Sequence, residues 1–239
     1  MNYTNYTKQI NFQKFNLFYR GDITFLDLPK IAIVGTRRPS QYSKEITTKL
    51  SSLLSKKYVI VSGGAMGIDA IAHKNAKKTI MVSPAGLDII YPKINKSLIE
   101  NIANNHLILS EYDLGYKPRP YSFVQRNRVV VGISEFVIII EADENSGSMR
   151  SFEIAKKLNK KVYVLPHRIG ESKGTNYLAN TNQAEVIWDI DEFIKNLGIT
   201  KNSGEILDYN DAFRKYGDKL FEMELNGDIE VKEGKVYFI

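Results

Sequence analysis

Ile31-Ala32-Ile33-Val34-Gly35-Thr36-Arg37-Arg38-Pro39-Ser40 reads as a short apolar strand that stops at a glycine and runs into a basic turn. Ser62-Gly63-Gly64-Ala65-Met66-Gly67-Ile68-Asp69 has the same plan, with glycines where the first loop has arginines. Working outward, β-branched apolar runs at 31–34, 58–62, 79–83, 106–111, 136–141 and 161–165 predict strands, with a short edge strand at 184–188. They are apolar along most of their length, as in a sheet covered by helices on both faces. Helical patterns at 42–56, 68–77, 96–104, 123–132 and 148–158 fall between them, and Ile46, Leu50, Leu53 and Leu54 give the first helix a buried stripe. The alternation predicts an α/β fold, a doubly wound, mostly parallel Rossmann-like sheet. Residues 2–28, with Phe15, Leu17, Phe18 and Tyr19 before Gly21-Asp22, predict a short β-element packed on the domain edge.

The whole chain has 239 residues, enough for one large α/β domain with a small appendage. Without cysteine it has no disulfide, thiolate metal site or cysteine nucleophile. Three histidines, His73, His106 and His167, make a multi-histidine metal cage a poor reading. The longest apolar run, 129–142, is interrupted by Ser134 and Glu135, so no membrane span is expected. Met1-Asn2-Tyr3-Thr4 does not begin a secretory signal, and the expected compartment is the cytoplasm.

The net charge is +6, but it is unevenly spread. Residues 201–239 carry six basic and nine acidic side chains, so the surplus lies on residues 1–200. A linker with Gly198, Asn202, Ser203 and Gly204 predicts a boundary between a main domain (1–200) and a small module (201–239). In the module Phe213, Tyr216, Leu220 and Met223 fall at helical spacing, and 228–231 and 235–239 flank a Lys232-Glu233-Gly234 turn. A helix followed by a hairpin predicts a shortened winged-helix-like module. Its acidic balance fits packing or partner docking better than DNA reading.

Ligands of an open parallel sheet gather at the carboxyl ends of its strands. The loops expected there are Gly35-Thr36-Arg37-Arg38, Ser62-Gly63-Gly64 with Gly67, Pro84-Ala85-Gly86 leading to Lys93, Arg119 with Phe123-Val124-Gln125-Arg126-Asn127-Arg128, and Ser146-Gly147-Ser148. Glycine and serine at a strand-to-helix turn let backbone N–H groups approach an anion. Any one such loop is also what turn geometry alone requires. Several together with Arg37, Arg38, Lys93, Arg119, Arg126 and Arg128 describe a row of phosphate sites along one edge. Asn127 is available for a base edge or a backbone group, and Tyr121 and Phe123 beside the cations suit base stacking on a single strand.

The first loop lacks Gly-x-Gly-x-x-Gly, and the chain lacks Gly-x-x-x-x-Gly-Lys-Ser/Thr, so neither NAD binding nor a P-loop is supported. Ser62 and Ser146 have no evident histidine partner. Glu111, Asp113, Glu141, Asp143 and Glu144 read as solvated or arginine-paired, and Asp69 as a helix-dipole partner. No catalytic residue, metal or cofactor is expected.

Taken in order, the loops resemble the DNA-processing protein A (DprA, or Smf) family. The resemblance is carried by Tyr19-Arg20-Gly21-Asp22, Ile31 to Arg37, Ser62 to Asp69, Gly86-Leu87-Asp88 with Tyr91-Pro92, Ser110-Glu111-Tyr112, Phe123 with Arg126-Asn127-Arg128, and Glu141 with Ser146-Gly147-Ser148. It covers about residues 17–190 and is most like the compact epsilonproteobacterial members, without the N-terminal helical domain of others. It implies an extended Rossmann-like domain that binds single-stranded DNA without marked sequence preference, with double strands weaker. It also implies a homodimer that loads the RecA recombinase on incoming DNA in natural transformation, with no enzymatic activity. Carried over, Arg37 and Arg126 or Arg128 clamp phosphates, Ser62, Gly63, Gly64 and Gly67 offer N–H groups, and Phe123 meets a base. The alternative is a nucleotide-ligand enzyme of the lysine-decarboxylase-like group. Its Pro-Gly-Gly-x-Gly-Thr motif is replaced here by Asn145-Ser146-Gly147-Ser148.

Overall fold

The computed structural model describes residues 8–199 and 206–238; Asn202, Ser203 and Gly204 of the expected linker, Ile239 and the start of the 2–28 element lie outside them. The chain divides into two compact units, Met1–Ile190 and Asp191–Ile239.

The first unit opens with a hairpin, β1 (Lys8–Phe12) and β2 (Phe15–Gly21). Phe15 and Leu17 alternate inward, as the period of a one-sided strand requires. Then follow β3 (Lys30–Val34), α1 (Gln41–Leu54), β4 (Val59–Ser62), α2 (Ile68–Asn75), β5 (Thr79–Ser83), α3 (Lys96–Asn105) and β6 (Leu107–Ser110). The second half adds α4 (Pro120–Gly132), β7 (Phe136–Ile139), α5 (Gly147–Lys157), β8 (Lys161–Val164), α6 (Lys173–Asn180) and β9 (Glu185–Val186).

One nine-stranded sheet runs β1-β2-β6-β5-β4-β3-β7-β8-β9, parallel from β6 to β9. The chain winds outward from β3 through β4 and β5 to β6, then returns to β7 on the other side of β3. This is the doubly wound, mostly parallel α/β sheet expected, and its winding direction reverses between β3 and β7. Strands β3 to β7 are buried at every position, in keeping with helices on both faces. The N-terminal element is more than an edge decoration. Strand β2 pairs antiparallel with β6, Phe18 opposite Ser110 and Arg20 opposite Ile108, so the hairpin extends the main sheet.

The second unit holds α7 (Ile190–Asn196) from Asp191 on, then β10 (Ile206–Asp208), α8 (Tyr209–Tyr216), α9 (Lys219–Leu225), β11 (Ile229–Lys232) and β12 (Lys235–Phe238). Its three strands pair in the order β10-β12-β11, and Ala212, Leu220, Ile229 and Val236 form its core. The expected hairpin is β11–β12, Val231 opposite Val236.

Candidate nucleic-acid interface

Between the carboxyl ends of β3 and β7, where the winding reverses, the structure opens a cleft of about 500 Å³. A crevice at that position follows from topology, because the loops after β3 and β7 leave toward opposite faces of the sheet. Gly35, Thr36, Arg37, Arg38, Gly63, Phe123, Arg126, Asn127, Ser146, Gly147 and Ser148 line it, so three separate loops and helix α4 meet there. The N-termini of α1, α2 and α5 lie at these same loops and add partial positive charge.

The first loop is held from below. The Thr36 N–H donates to the Glu141 carbonyl at 2.8 Å, and the Thr36 carbonyl accepts from the Ile68 N–H at 3.2 Å. The N–H and hydroxyl of Ser40, the α1 N-cap, both donate to Glu141 Oε2 at 2.9 Å. Glu141 thus organises the loop, and Arg37 and Arg38 are left exposed on a fixed backbone. The Arg37 guanidinium lies 5.7 Å from the centroid of the Phe123 ring, and Tyr91 meets the same ring edge-on at 5.5 Å. A cation beside an aromatic face, at the mouth of a cleft, offers a phosphate contact and a stacking surface together. Asp143 is an exposed acidic side chain in the lining, set against the two exposed arginines.

Arg126 has a different task from the expected phosphate clamp. It is buried, and its Nη1 donates to the Gly63 carbonyl and, at 3.1 Å, to that of Val82. Its Nε donates to Asn127 Oδ1 at 3.0 Å, and Asn127 Nδ2 donates to the Gly147 carbonyl at 3.3 Å. Asp69, also buried, faces Arg126 electrostatically. Burial pushes the Asp69 carboxyl above the ordinary carboxylate range and the Arg126 guanidinium below its own, and each offsets the other's shift. Asp69 accepts from the N–H groups of Ala65, at 3.3 Å, and Gly63. Those donors face an internal carboxylate, so the second loop is a braced wall rather than an open anion cradle, and Asp69 is more than a helix-dipole partner.

The remaining candidates lie outside the cleft lining. The Ser62 hydroxyl donates to the Ile33 carbonyl at 2.7 Å, inside the sheet. Gly64 and Gly67 adopt φ of +72° and +78°, and the Gly64 carbonyl accepts from Asn95 Nδ2 at 3.1 Å. Lys93 is exposed on a short 3-10 helix, and Arg119 is exposed at the start of α4. Arg128 points away from Arg126 and pairs with Glu111 at 3.3 Å. With about 100° of turn per residue, α4 puts Arg126 and Arg128 on opposite sides of the helix. Asp69, Glu141 and Ser151 also line the cleft, although the phosphate-loop pattern does not point to them. For Asp69 the signal in the sequence is a carboxylate in the first helical turn, two residues after a glycine-rich bend.

Residues 1–198 match the family described as DNA recombination-mediator protein A. The DNA processing protein DprA of Streptococcus pneumoniae is 42% identical over 168 residues, 68% of this chain and 60% of that protein. DprA of Bacillus subtilis is 35% identical over 188 residues, covering 76% of this chain and 63% of its own length. The chain thus spans less than two thirds of the length of these curated relatives. A solved structure of DNA processing protein A from Helicobacter pylori, described for its single-stranded DNA binding mode, is 46% identical with a TM-score of 0.79, covering 81% of this chain and 97% of that one.

Proposed function

The chain belongs to the DNA recombination-mediator protein A family, and from that premise we propose that it binds single-stranded DNA at the β3–β7 cleft, without marked sequence preference. It is a binding protein rather than an enzyme, working in DNA processing during natural transformation. It acts in the cytoplasm as a homodimer, protects the incoming strand and hands it to the RecA recombinase, and it binds double strands more weakly. Residues 201–239 act as a shortened winged-helix-like docking module. The observation that carries the reading is the seating of exposed Arg37 over Phe123 at a cleft lined by the N-terminus of α5. The reading draws further support from the H. pylori structure, whose description names single-stranded DNA.

The test is a salt titration of binding to fluorescent oligo-dT. Affinity falls steeply with salt, because each neutralised phosphate releases counterions. In Arg37→Ala the plot of log affinity against log salt flattens by about 0.7, the slope that one phosphate supplies on a single strand. The melting temperature of this variant is unchanged. Binding that ignores salt, or no binding at low salt, rejects the reading.

A further inference from the structure

We propose that Tyr112, Tyr116 and Tyr121 form a second base-stacking position for a single strand already held at the Arg37–Phe123 cleft, an inference that rests on the single-strand reading above. The loop after β6 carries the first two, and Tyr121 lies in the first turn of α4. The rings of Tyr112 and Tyr116 stack at 4.1 Å with only 8° between their planes. The Tyr116 hydroxyl donates to the Tyr121 hydroxyl, and that of Tyr112 to Gln125 Oε1, both at 2.6 Å.

Tyr112 and Tyr116 are only half-buried, and Tyr121 is half exposed. Core packing therefore does not account for the cluster. The loop is nonetheless built to stay in place. The Gly115 N–H donates to both carboxylate oxygens of Asp88, at 2.8 and 2.9 Å, and the Tyr116 carbonyl accepts from the Gly86 N–H at 3.0 Å. A preassembled, exposed aromatic stack of this kind accepts any base, since every base has a π-face.

The surroundings suit a polyanion. Glu111 is engaged by Arg128 and Asp88 by the loop backbone, which leaves Asp113 against exposed Lys117 and Arg119. Partial burial, with Tyr116 and Glu111 nearby, pushes the Tyr112 phenol up to about 12. In the sheet, β6 lies three strands from β3, about 14 Å at the usual strand spacing. Tyr121 precedes Phe123 by two residues on α4, so a strand seated at Phe123 can continue along the carboxyl edge onto the stack.

The experiment measures fluorescent dT20 binding to the full chain, as wild type, Tyr121→Phe and the double variant Tyr116→Ala/Tyr121→Ala. Stacking is worth about 1–3 kcal/mol per base, so the double variant loses roughly 5- to 150-fold in dT20 affinity. Tyr121→Phe keeps its ring and its dT20 affinity. A double variant within twofold of wild type on dT20 overturns the proposal. Wild type that does not bind dT20 rejects the parent reading instead. Photocrosslinking of 5-iododeoxyuridine-substituted dT20 to the wild-type chain decides the matter even where a variant fails to fold. Crosslinks at Tyr112 or Tyr116 are expected, and crosslinks at Phe123 with none at either tyrosine overturn the proposal.

Discussion

At the scale of single residues, Arg37 and Arg126 show how one residue type divides into two roles. Arg37 is exposed with its guanidinium against an aromatic ring, whereas Arg126 is buried against two carbonyls and Asp69. Removing one partner of a buried pair leaves an uncompensated charge, at a cost of about 3–5 kcal/mol. Arg126→Met is therefore expected to lower stability to urea by that order, whereas Arg37→Ala weakens DNA binding and leaves the urea midpoint within error. Gly63 belongs to the same contact, because a Cβ there meets the Arg126 guanidinium. Gly63→Ala destabilises through displacement of that guanidinium, and denaturation at matched conditions checks it. The sequence marks both arginines as basic and the neighbouring glycines as turn formers. It does not reveal which cation turns inward, since that depends on which carbonyls the fold places beneath α4.

At the scale of elements, the β-strands are legible because buried parallel strands are continuous apolar runs. The expected strand at 136–141 ends at Ile139, since Glu141 leaves the ladder to hold Thr36 and Ser40. Helix α4 begins at Pro120, three residues before the expected start, with proline at the first helical position, where it lacks no needed N–H. Its other end is closed by Lys160. The Lys160 ammonium donates to the carbonyls of Val131, at 2.9 Å, of Gly132, at 2.6 Å, and of Ser134. Lys160→Met leaves these part-buried acceptors unanswered and is expected to cost about 1–3 kcal/mol in a urea titration. Helix α6 has no counterpart among the expected helices. Gly174 lies within it at a point where a Cβ would stand 2.7 Å from the Ala142 carbonyl, a close approach that no local pattern announces.

At the scale of the whole molecule, acid sensitivity is built into the core. Thr79 Oγ1 donates to the Ile60 carbonyl at 2.7 Å, so His73 Nδ1 donates to Thr79 at 2.6 Å, and the buried Nε2 has no partner among the described residues. Burial, with the Arg126 charge nearby, lowers the His73 pKa to about 3. An unfolded histidine takes a proton near 6.5, so below that pH the unfolded chain binds more protons than the folded one. Stability is fully present above that value and falls as pH drops toward about 3, by about 3 kcal/mol between pH 7 and pH 4. The stability difference between those two pH values is expected to shrink in His73→Asn, measured by urea titration at both. An unchanged difference assigns the acid loss to other groups. No helix among the described residues is long and apolar enough to cross a membrane.

Local sequence was enough for the α/β class, the order of strands along the chain and the segments that carry cations and glycines. All of these follow from local periodicity and turn chemistry. Long-range packing settles that β2 joins the sheet beside β6, that the winding reverses at β3 and β7, and that three of those loops share one cleft with α4. It also decided which arginine meets solvent and which meets Asp69. The reason is that pairing partners and side-chain directions depend on contacts far apart in the chain, whereas a strand or a turn is dictated by its neighbours.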